Sequence, residues 1–183
     1  MGNVEVAKAL IAAGADLEAK GEPASAHPLH LAAQLNEPAI AALLVDHGAK
    51  VDAADGQGRT PLMVAAVNGN LKTAEVLLAK GANPIARDSS YGAAPIHFAS
   101  WSGHAEVVEL LVSKGVDINL INDQKGETPL HHAAYGESDT GELIEFLLAN
   151  GANPSIRDKQ GKTPLQIATH AMAELMRKLG VNE

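Results

Sequence analysis

Apolar residues recur at helical spacing in short stretches along the whole chain, and glycine-containing turns separate these stretches. In the stretch Leu71 to Ala79, Ala74 and Leu77 lie on one face of a predicted helix, and Gly81 follows as the residue that ends it. A shorter apolar stretch, Leu62 to Ala66, precedes this one. Its paired alanines allow a neighbouring helix to approach closely. The pattern predicts a unit of one short helix, a loop and one longer helix.

The unit repeats with a nearly constant period that two separate landmarks share. A proline followed by leucine or isoleucine returns after 33 to 35 residues, and a helix-ending glycine returns after 33 to 36. Chance is a poor explanation for two landmarks with one period. The prolines are Pro28, Pro61, Pro95, Pro129 and Pro164, and the glycines are Gly14, Gly48, Gly81, Gly115 and Gly151.

The start of each short helix carries further signals. Thr60, Thr128 and Thr163 stand where a hydroxyl caps the first turn of a helix. The proline that follows each threonine needs no hydrogen-bond partner at the first helical position. One such unit cannot bury its own apolar face, so we expect consecutive units to stack with cores shared between nearest neighbours.

The most complete copy of the repeated motif reads Thr-Pro-Leu-His-His-Ala at 128–133, and partial copies begin at the other prolines. This motif and its period resemble those of ankyrin repeats. The resemblance implies an all-α solenoid of about five helix-turn-helix repeats with short β-turn fingers. It also implies that His30, His97 and His131, which share one motif position, tie neighbouring turns together.

The resemblance covers nearly all of the chain, which we treat as a single ankyrin-repeat domain over 1–183. Residues 1–20 hold a partial N-terminal repeat, 21–54, 55–87, 88–121 and 122–157 are repeats, and 158–183 form a shortened C-terminal capping repeat. In that cap we expect a solvated face at Glu174, Arg177 and Lys178. The third repeat has Ala94 in place of a capping threonine and one extra residue in its turn. The fourth has two extra residues between its helices, within 136–141.

Charge and composition exclude several classes of function. The chain has 14 Lys and Arg against 22 Asp and Glu, a formal net charge of -8, which argues against nucleic acid or an anionic membrane as partner. The absence of cysteine from the sequence excludes thiolate metal sites and cysteine nucleophiles. No phosphate loop or nucleophile motif occurs. We therefore expect no enzyme, cofactor, metal or small-molecule substrate.

No signal peptide or membrane span is recognisable in the sequence, so we expect a cytoplasmic protein, and a monomeric one. The function that remains is non-catalytic binding of a protein partner. In the family that the chain resembles, partners meet the turn tips and the exposed side of the first helices, which line a concave groove. The partner-binding candidates at those positions are Arg59, Val67, Tyr91, Trp101, Lys125, Glu127 and Tyr135.

Aromatic residues are the proposed anchors of this surface, because aromatic side chains are frequent binding hot spots. Trp101 and Tyr135 are expected to be neighbours, since stacked helices lie about 8 to 10 Å apart. The alternative for Trp101 is that it packs between helices. Phe98 and Phe146 are expected in the core.

Other interpretations of the sequence remain open. The chain is alternatively a structural or positioning segment of a longer multidomain protein, which the absent first helix of the N-terminal repeat favours. A basic group at Arg157, Lys159 and Lys162 would suit an acidic partner segment. The Val-Asp-Ile-Asn context of Asn119 resembles a hydroxylation target of the family.

Overall fold

The computed structural model describes residues 2–22, 24–136 and 140–182. In these ranges the chain forms eleven helices and, apart from one isolated bridge between Gly21 and Ala26, no strand pairing. The all-α class expected from the sequence is confirmed. The helices are α1 Gly2–Ala12, α2 Pro28–Gln34, α3 Pro38–Asp46, α4 Pro61–Val67, α5 Leu71–Ala79, α6 Pro95–Trp101, α7 Ala105–Ser113, α8 Pro129–Tyr135, α9 Gly141–Ala149, α10 Pro164–Ile167 and α11 His170–Lys178.

The helices form two stacked rows. The first-helix row consists of α2, α4, α6, α8 and α10, each of which begins at the repeated proline and contacts the next helix of the row. The second-helix row consists of α1, α3, α5, α7, α9 and α11, which contact one another in the same order. Each unit therefore buries its apolar face against its neighbours, as the predicted nearest-neighbour stacking requires.

Of the first-row helices, α4 and α8 have the hydroxyl cap that the sequence predicts. The hydroxyls of Thr60 and Thr128 accept hydrogen bonds from backbone N–H groups three residues later, both at 3.4 Å. Ala94 has no hydroxyl to offer, as expected. The prediction for Thr163 is wrong, because its hydroxyl caps no N–H group in the described part of the chain. The Gln166 side chain accepts the Thr163 N–H at 3.1 Å, as His131 does for Thr128.

The core is aliphatic and runs along the stack. Leu77 in α5 and Leu111 in α7 are completely buried, and so are Leu62 in α4 and Ile96 in α6. Between the rows, small residues such as the fully buried Ala65 bring the helix backbones close together. This packing fixes the positions of the turns that precede each first-row helix.

The two ends of the stack differ. At the C-terminal end α10 has only 4 residues. Helix α11 exposes Glu174, Arg177 and Lys178, which confirms the solvated face expected there. At the other end, no helix of the first row precedes α2 among the described residues. Leu31 of α2 is therefore 51% exposed, whereas Val64 at the same position of α4 is 7% exposed. None of the helices in the described ranges is long and apolar enough to span a bilayer.

Candidate functional site

The fingers are the turns that precede the first-row helices. An acidic or amide side chain closes those before α4, α6, α8 and α10. In the finger before α4, Asp55 Oδ1 accepts the N–H groups of Gln57 and Arg59 at 2.8 and 2.9 Å. The Arg59 guanidinium lies 2.8 Å from the other oxygen, Oδ2. Burial raises the pKa of Asp55, but these hydrogen bonds and the guanidinium outweigh burial and hold the pKa below its usual value. Arg59 is thus paired within its own finger.

The finger before α8 is closed by a residue that the sequence comparison missed. In the repeated sequence motif, Asp123 aligns with Asp55 and Asp158 of other fingers. In the structure Asn122 takes this role: its Oδ1 accepts the N–H groups of Lys125 and Glu127 at 3.0 and 3.2 Å, while Asp123 is exposed. From its closing residue to the proline, this finger is therefore one residue longer than the finger before α4. The neighbouring finger, closed by Asp88, has the extra residue that the sequence indicates.

Backbone hydrogen bonds join neighbouring fingers along one edge of the stack. An N–H group of each finger donates to a carbonyl of the finger before it, at 2.8–3.2 Å. These bonds run from Gly56 to Ala24, from Ser89 to Gln57, from Gln124 to Tyr91 and from Lys159 to Lys125. The fingers therefore form a continuous edge rather than a set of independent loops.

Three motif histidines reinforce this edge. His30, His97 and His131 accept a backbone N–H at Nδ1, at 3.2, 3.0 and 3.1 Å respectively. Each Nε2 therefore carries the proton and donates to a carbonyl of the following turn or loop, at 2.8, 2.9 and 3.1 Å. Burial lowers the pKa of all three, that of His97 to about 4. Their predicted structural role is confirmed.

A pocket of about 250 Å³ lies between the two longer fingers and helices α6 and α8; we call it the aromatic pocket. Its apolar wall includes Tyr91, Phe98, Trp101 and Tyr135, and its polar side includes Asn122, Lys125, Glu127 and His132. Tyr91 is 53% exposed, and Trp101 and Tyr135 are partly exposed, so the pocket opens to solvent.

The polar side of the aromatic pocket is a hydrogen-bonded network around the Glu127 carboxylate. Glu127 Oε2 accepts the Tyr135 hydroxyl at 2.9 Å and the Asn122 side-chain amide at 3.4 Å. The same amide donates to His132 Nε2 at 3.1 Å. An aspartate at 122 would place a second negative charge beside Glu127, whereas the neutral amide supplies a donor. The asparagine therefore suits both the turn and the carboxylate.

Burial controls the charges in this network. It lowers the pKa of His132 well below the usual value, with a further contribution from the neighbouring His97. Burial together with the Glu127 carboxylate raises the pKa of Tyr135 above its usual range. Both side chains are therefore neutral near pH 7. The Lys125 ammonium lies 3.8 Å from Glu127 Oε1 and 6.0 Å from the centre of the Tyr135 ring.

The structure brings most of the predicted site residues together. Tyr91, Trp101, Lys125, Glu127 and Tyr135 all line the aromatic pocket. Arg59 and Val67 instead line a second pocket of about 350 Å³, one repeat nearer the N-terminus. The expected position of Glu127 at a solvated turn tip is wrong. The residue is only 5% exposed, because the Asn122 and Tyr135 side chains hold the carboxylate inside.

The aromatic residues combine packing with exposure. Trp101 is partly buried and lines the aromatic pocket, so it meets both descriptions that the sequence left open for it. Phe98 and Phe146 pack against the core but are only partly buried, and Phe98 also lines the pocket. Sequence reasoning missed Asn122 and His132 as members of this site. The sequence showed an extra turn residue only in the third repeat, because Asp123 makes the next turn look like the others.

The remaining candidates have local partners or fall outside the described residues. The Asn119 side chain donates to Gly151 O at 3.2 Å and accepts the Asn153 N–H at 2.8 Å, so it links two neighbouring repeats. Lys159 and Lys162 are exposed at the last finger. Most of the predicted insertion in the fourth repeat, residues 137–139, lies outside the described residues. In the described ranges no three His, Asp or Glu side chains are grouped so that they could hold a metal ion.

Two stacked rows of short helices, joined finger to finger along one edge, define a helical repeat protein of the solenoid class. The sequence profile of the family described as Ankyrin repeats (3 copies) matches residues 1–88 and 96–182. This chain therefore belongs to the ankyrin-repeat family. Ankyrin repeats are generally non-catalytic modules of protein–protein interaction.

Several curated proteins are similar to parts of this chain. The NF-kappa-B p105 subunit of Gallus gallus is 45% identical over 78 residues, which are 42% of this chain and 8% of that protein. The ADP-ribosylation factor GTPase-activating protein AGD2 of Arabidopsis thaliana is 42% identical over 60 residues, 33% of this chain and 8% of that protein. A Caenorhabditis elegans homolog of the transient receptor potential cation channel subfamily A member 1 is 44% identical over 54 residues, 30% of this chain and 4% of that protein. The matched parts are thus small fractions of much longer proteins.

Proposed function

We propose that this chain is a non-catalytic binding module that holds a protein partner against its fingers and first-helix row, the groove side expected for the family. The aromatic pocket is the centre of this surface. The observation that carries the proposal is the convergence of Tyr91, Trp101 and Tyr135 in one solvent-open pocket. These residues come from a finger and two different helices, so three separate parts of the sequence supply one site.

The physical basis is a set of large side chains on a rigid support. Trp101 and Tyr135 stand at the ends of α6 and α8, whose buried residues pack into the common core. Anchors that are already ordered lose little conformational entropy when a partner binds. Lys125 adds an exposed charge at the edge of the aromatic pocket. Arg59 and Val67 extend the same surface by one repeat.

Replacement of the central anchor tests this proposal. We expect Trp101→Ala to lower partner affinity by more than about 2 kcal/mol without unfolding the chain, because buried aromatic anchors dominate binding energy. Capture from a lysate of the source identifies the partner, and titration calorimetry of purified partner with both chains measures the loss.

Leu179→Ala serves as the matched control, since Leu179 is 42% exposed at the far end of the stack. Circular dichroism melts establish that both variants fold. A partner that binds wild type and Trp101→Ala equally well would remove the aromatic pocket from the interface.

A second candidate is a structural role within a longer protein, in which the repeats position another domain. The observation that favours it is that the matched relatives are much longer proteins, of which this chain covers 8% or less in the three cases above. A full-length transcript from the source distinguishes the binding module from the structural segment. A catalytic or channel domain in the same reading frame, with no partner retained at the aromatic pocket, would support the structural role.

A binding module of this kind also implies expectations about activity, location and oligomeric state. We expect no catalytic activity of its own, a cytoplasmic location and a monomeric state. Sedimentation velocity of the purified chain checks the oligomeric state, and a fluorescent fusion in source cells checks the location. A stable dimer in sedimentation would contradict the monomer and direct attention to the exposed apolar residues of α1 and α2.

A further inference from the structure

The chemistry of the aromatic pocket specifies the kind of side chain that fits it. We propose that the pocket takes an arginine side chain of the protein partner, with its guanidinium on the Glu127 carboxylate and against the aromatic wall. This inference rests on the proposed function, because it names the partner chemistry at the same surface. It goes further by assigning one residue type to one pocket.

One oxygen of the Glu127 carboxylate, Oε1, accepts no side-chain hydrogen bond from the described residues. Among the described residues, the side-chain hydrogen bonds that reach Glu127 both end on Oε2, from Tyr135 at 2.9 Å and Asn122 at 3.4 Å. Oε1 has the Lys125 ammonium at 3.8 Å, which is an ion pair but too long for a hydrogen bond. The Glu127 side chain is only 7% exposed, and it lines the aromatic pocket. A buried carboxylate with incomplete hydrogen bonding favours a cationic donor.

Lys125 marks where such a cation is favoured. Its ammonium lies between Glu127 Oε1 and the Tyr135 ring, at 3.8 Å from the first and 6.0 Å from the centre of the second. The Lys125 side chain is 50% exposed. A half-exposed ammonium keeps much of its hydration, and at 3.8 Å it makes no hydrogen bond to Oε1, so an incoming cation with better geometry can displace it.

The apolar wall favours arginine over lysine. Tyr91, Phe98 and Trp101 offer carbon surface along which the methylene stem of a long cationic side chain packs. A guanidinium is planar and weakly hydrated, stacks on aromatic faces and forms paired hydrogen bonds to a carboxylate. An ammonium is more strongly hydrated and has no flat face. The combination of aromatic faces and one buried carboxylate therefore fits a guanidinium.

The chain carries its own reporter for the test, since Trp101 is its single tryptophan. We would titrate the full chain with nonapeptides that differ only at the central residue, which is arginine, lysine, citrulline or leucine, and follow Trp101 fluorescence. Citrulline has nearly the shape of arginine and no charge. We expect saturable binding of the arginine peptide and at least about tenfold weaker binding of the citrulline peptide, as for loss of a charge-assisted hydrogen bond.

Three variants locate the effect. We expect Glu127→Gln to bind the arginine and citrulline peptides equally, because the pairing charge is gone. Lys125→Met is expected to tighten the arginine peptide about threefold or more, because it removes the competing cation. Glu145→Gln, at an exposed position of α9, should behave as wild type. Circular dichroism verifies the fold of each, and if Glu127→Gln fails to fold, Lys125→Met still decides.

Several results would overturn the inference. Equal binding of the leucine or citrulline peptide would mean that the pocket takes a neutral side chain, and tighter binding of the lysine peptide would mean an ammonium site. Weaker arginine binding by Lys125→Met would show that Lys125 is not a competitor. If the arginine peptide does not bind, but the protein partner binds wild type and not Trp101→Ala, the assignment of arginine to the pocket is refuted and the proposed function stands. Retention of the partner by Trp101→Ala would refute both.

Discussion

His97 combines complete burial with two backbone hydrogen bonds. Its Nδ1 accepts the Ala94 N–H at 3.0 Å, and its Nε2 donates to Leu120 O at 2.9 Å. Burial lowers the pKa of His97 from 6.5 to about 4. Between these two pH values an unfolded chain binds a proton at this histidine and the folded chain does not. Stability contributed by His97 is therefore full above about pH 6.5 and is lost as the pH falls towards 4.

We expect the free energy of unfolding to fall with pH across this window, with a contribution from His97 of up to about 3 kcal/mol. His97→Gln removes the titrating group, and Gln166 shows that glutamine occupies the same repeat position in α10. Urea unfolding at pH 7.5 and 4.5 is the measurement, and the loss between the two should be smaller in the variant. His170→Gln is the control, since His170 has a 90% exposed side chain. If His97→Gln loses as much unfolding free energy between the two pH values as wild type does, His97 is not the source of the pH dependence.

At the scale of the elements, the first-row helices depend on their neighbours. Helices α2, α4, α6 and α8 have 7 residues each, well below the length at which an isolated helix is stable in water. Proline starts and caps lower the cost of forming them, but burial of side chains such as Leu62 against adjacent helices supplies most of the stability.

Removal of one buried side chain tests this dependence. We expect Leu77→Ala in α5 to lower the free energy of unfolding by about 2 to 5 kcal/mol, because Leu77 is completely buried and its removal leaves a cavity. Leu35→Ala, at a residue that is 71% exposed, should change it by less than about 0.5 kcal/mol. Chemical denaturation of both variants gives the two values. A similar loss in both would argue against stacking as the source of stability.

The helices were predictable from the sequence because their signals are local. The repeated proline, the capping threonines at 60 and 128 and the helix-ending glycines act within a few residues of their own position. The polar side of the aromatic pocket was not predictable, because it depends on how one finger folds against α8. Asp123 aligns with the aspartates that close other fingers. Because its finger has one more residue, the Asn122 side chain closes the turn instead, and Glu127 is buried. Thr163 likewise matches the capping threonines in sequence, yet its hydroxyl makes no cap hydrogen bond.

The whole molecule is a stack whose two ends are held unequally. At the N-terminal end α1 packs on α3 and exposes Val6 and Leu10, at 59% and 56%. At the other end α11 contacts α8, α9 and α10. In an array with nearest-neighbour cores, the helix with the fewest partners opens first.

Hydrogen exchange measures this difference directly. We expect the amides of α1 to exchange at least about tenfold faster than those of α11, and those of the central helices α4 to α7 to exchange slowest, because local opening costs less where fewer contacts break. Mass spectrometry of peptides from a deuterium time course resolves these segments. Equal protection of α1 and α11 would show that the N-terminal helix is as firmly held as the cap.

Mechanically, the finger edge is a series of joints. At most of them a single carbonyl of one finger receives the backbone N–H of the next, but the joint between the Asp88 and Asn122 fingers has two, from Asp123 to Gly92 and from Gln124 to Tyr91. The aromatic pocket lies at this joint. Side-chain bonds from Ser89 and Lys159 reinforce the joints on either side of it. Opening the stack at the aromatic pocket therefore has to break two backbone hydrogen bonds, against one at each of the other joints.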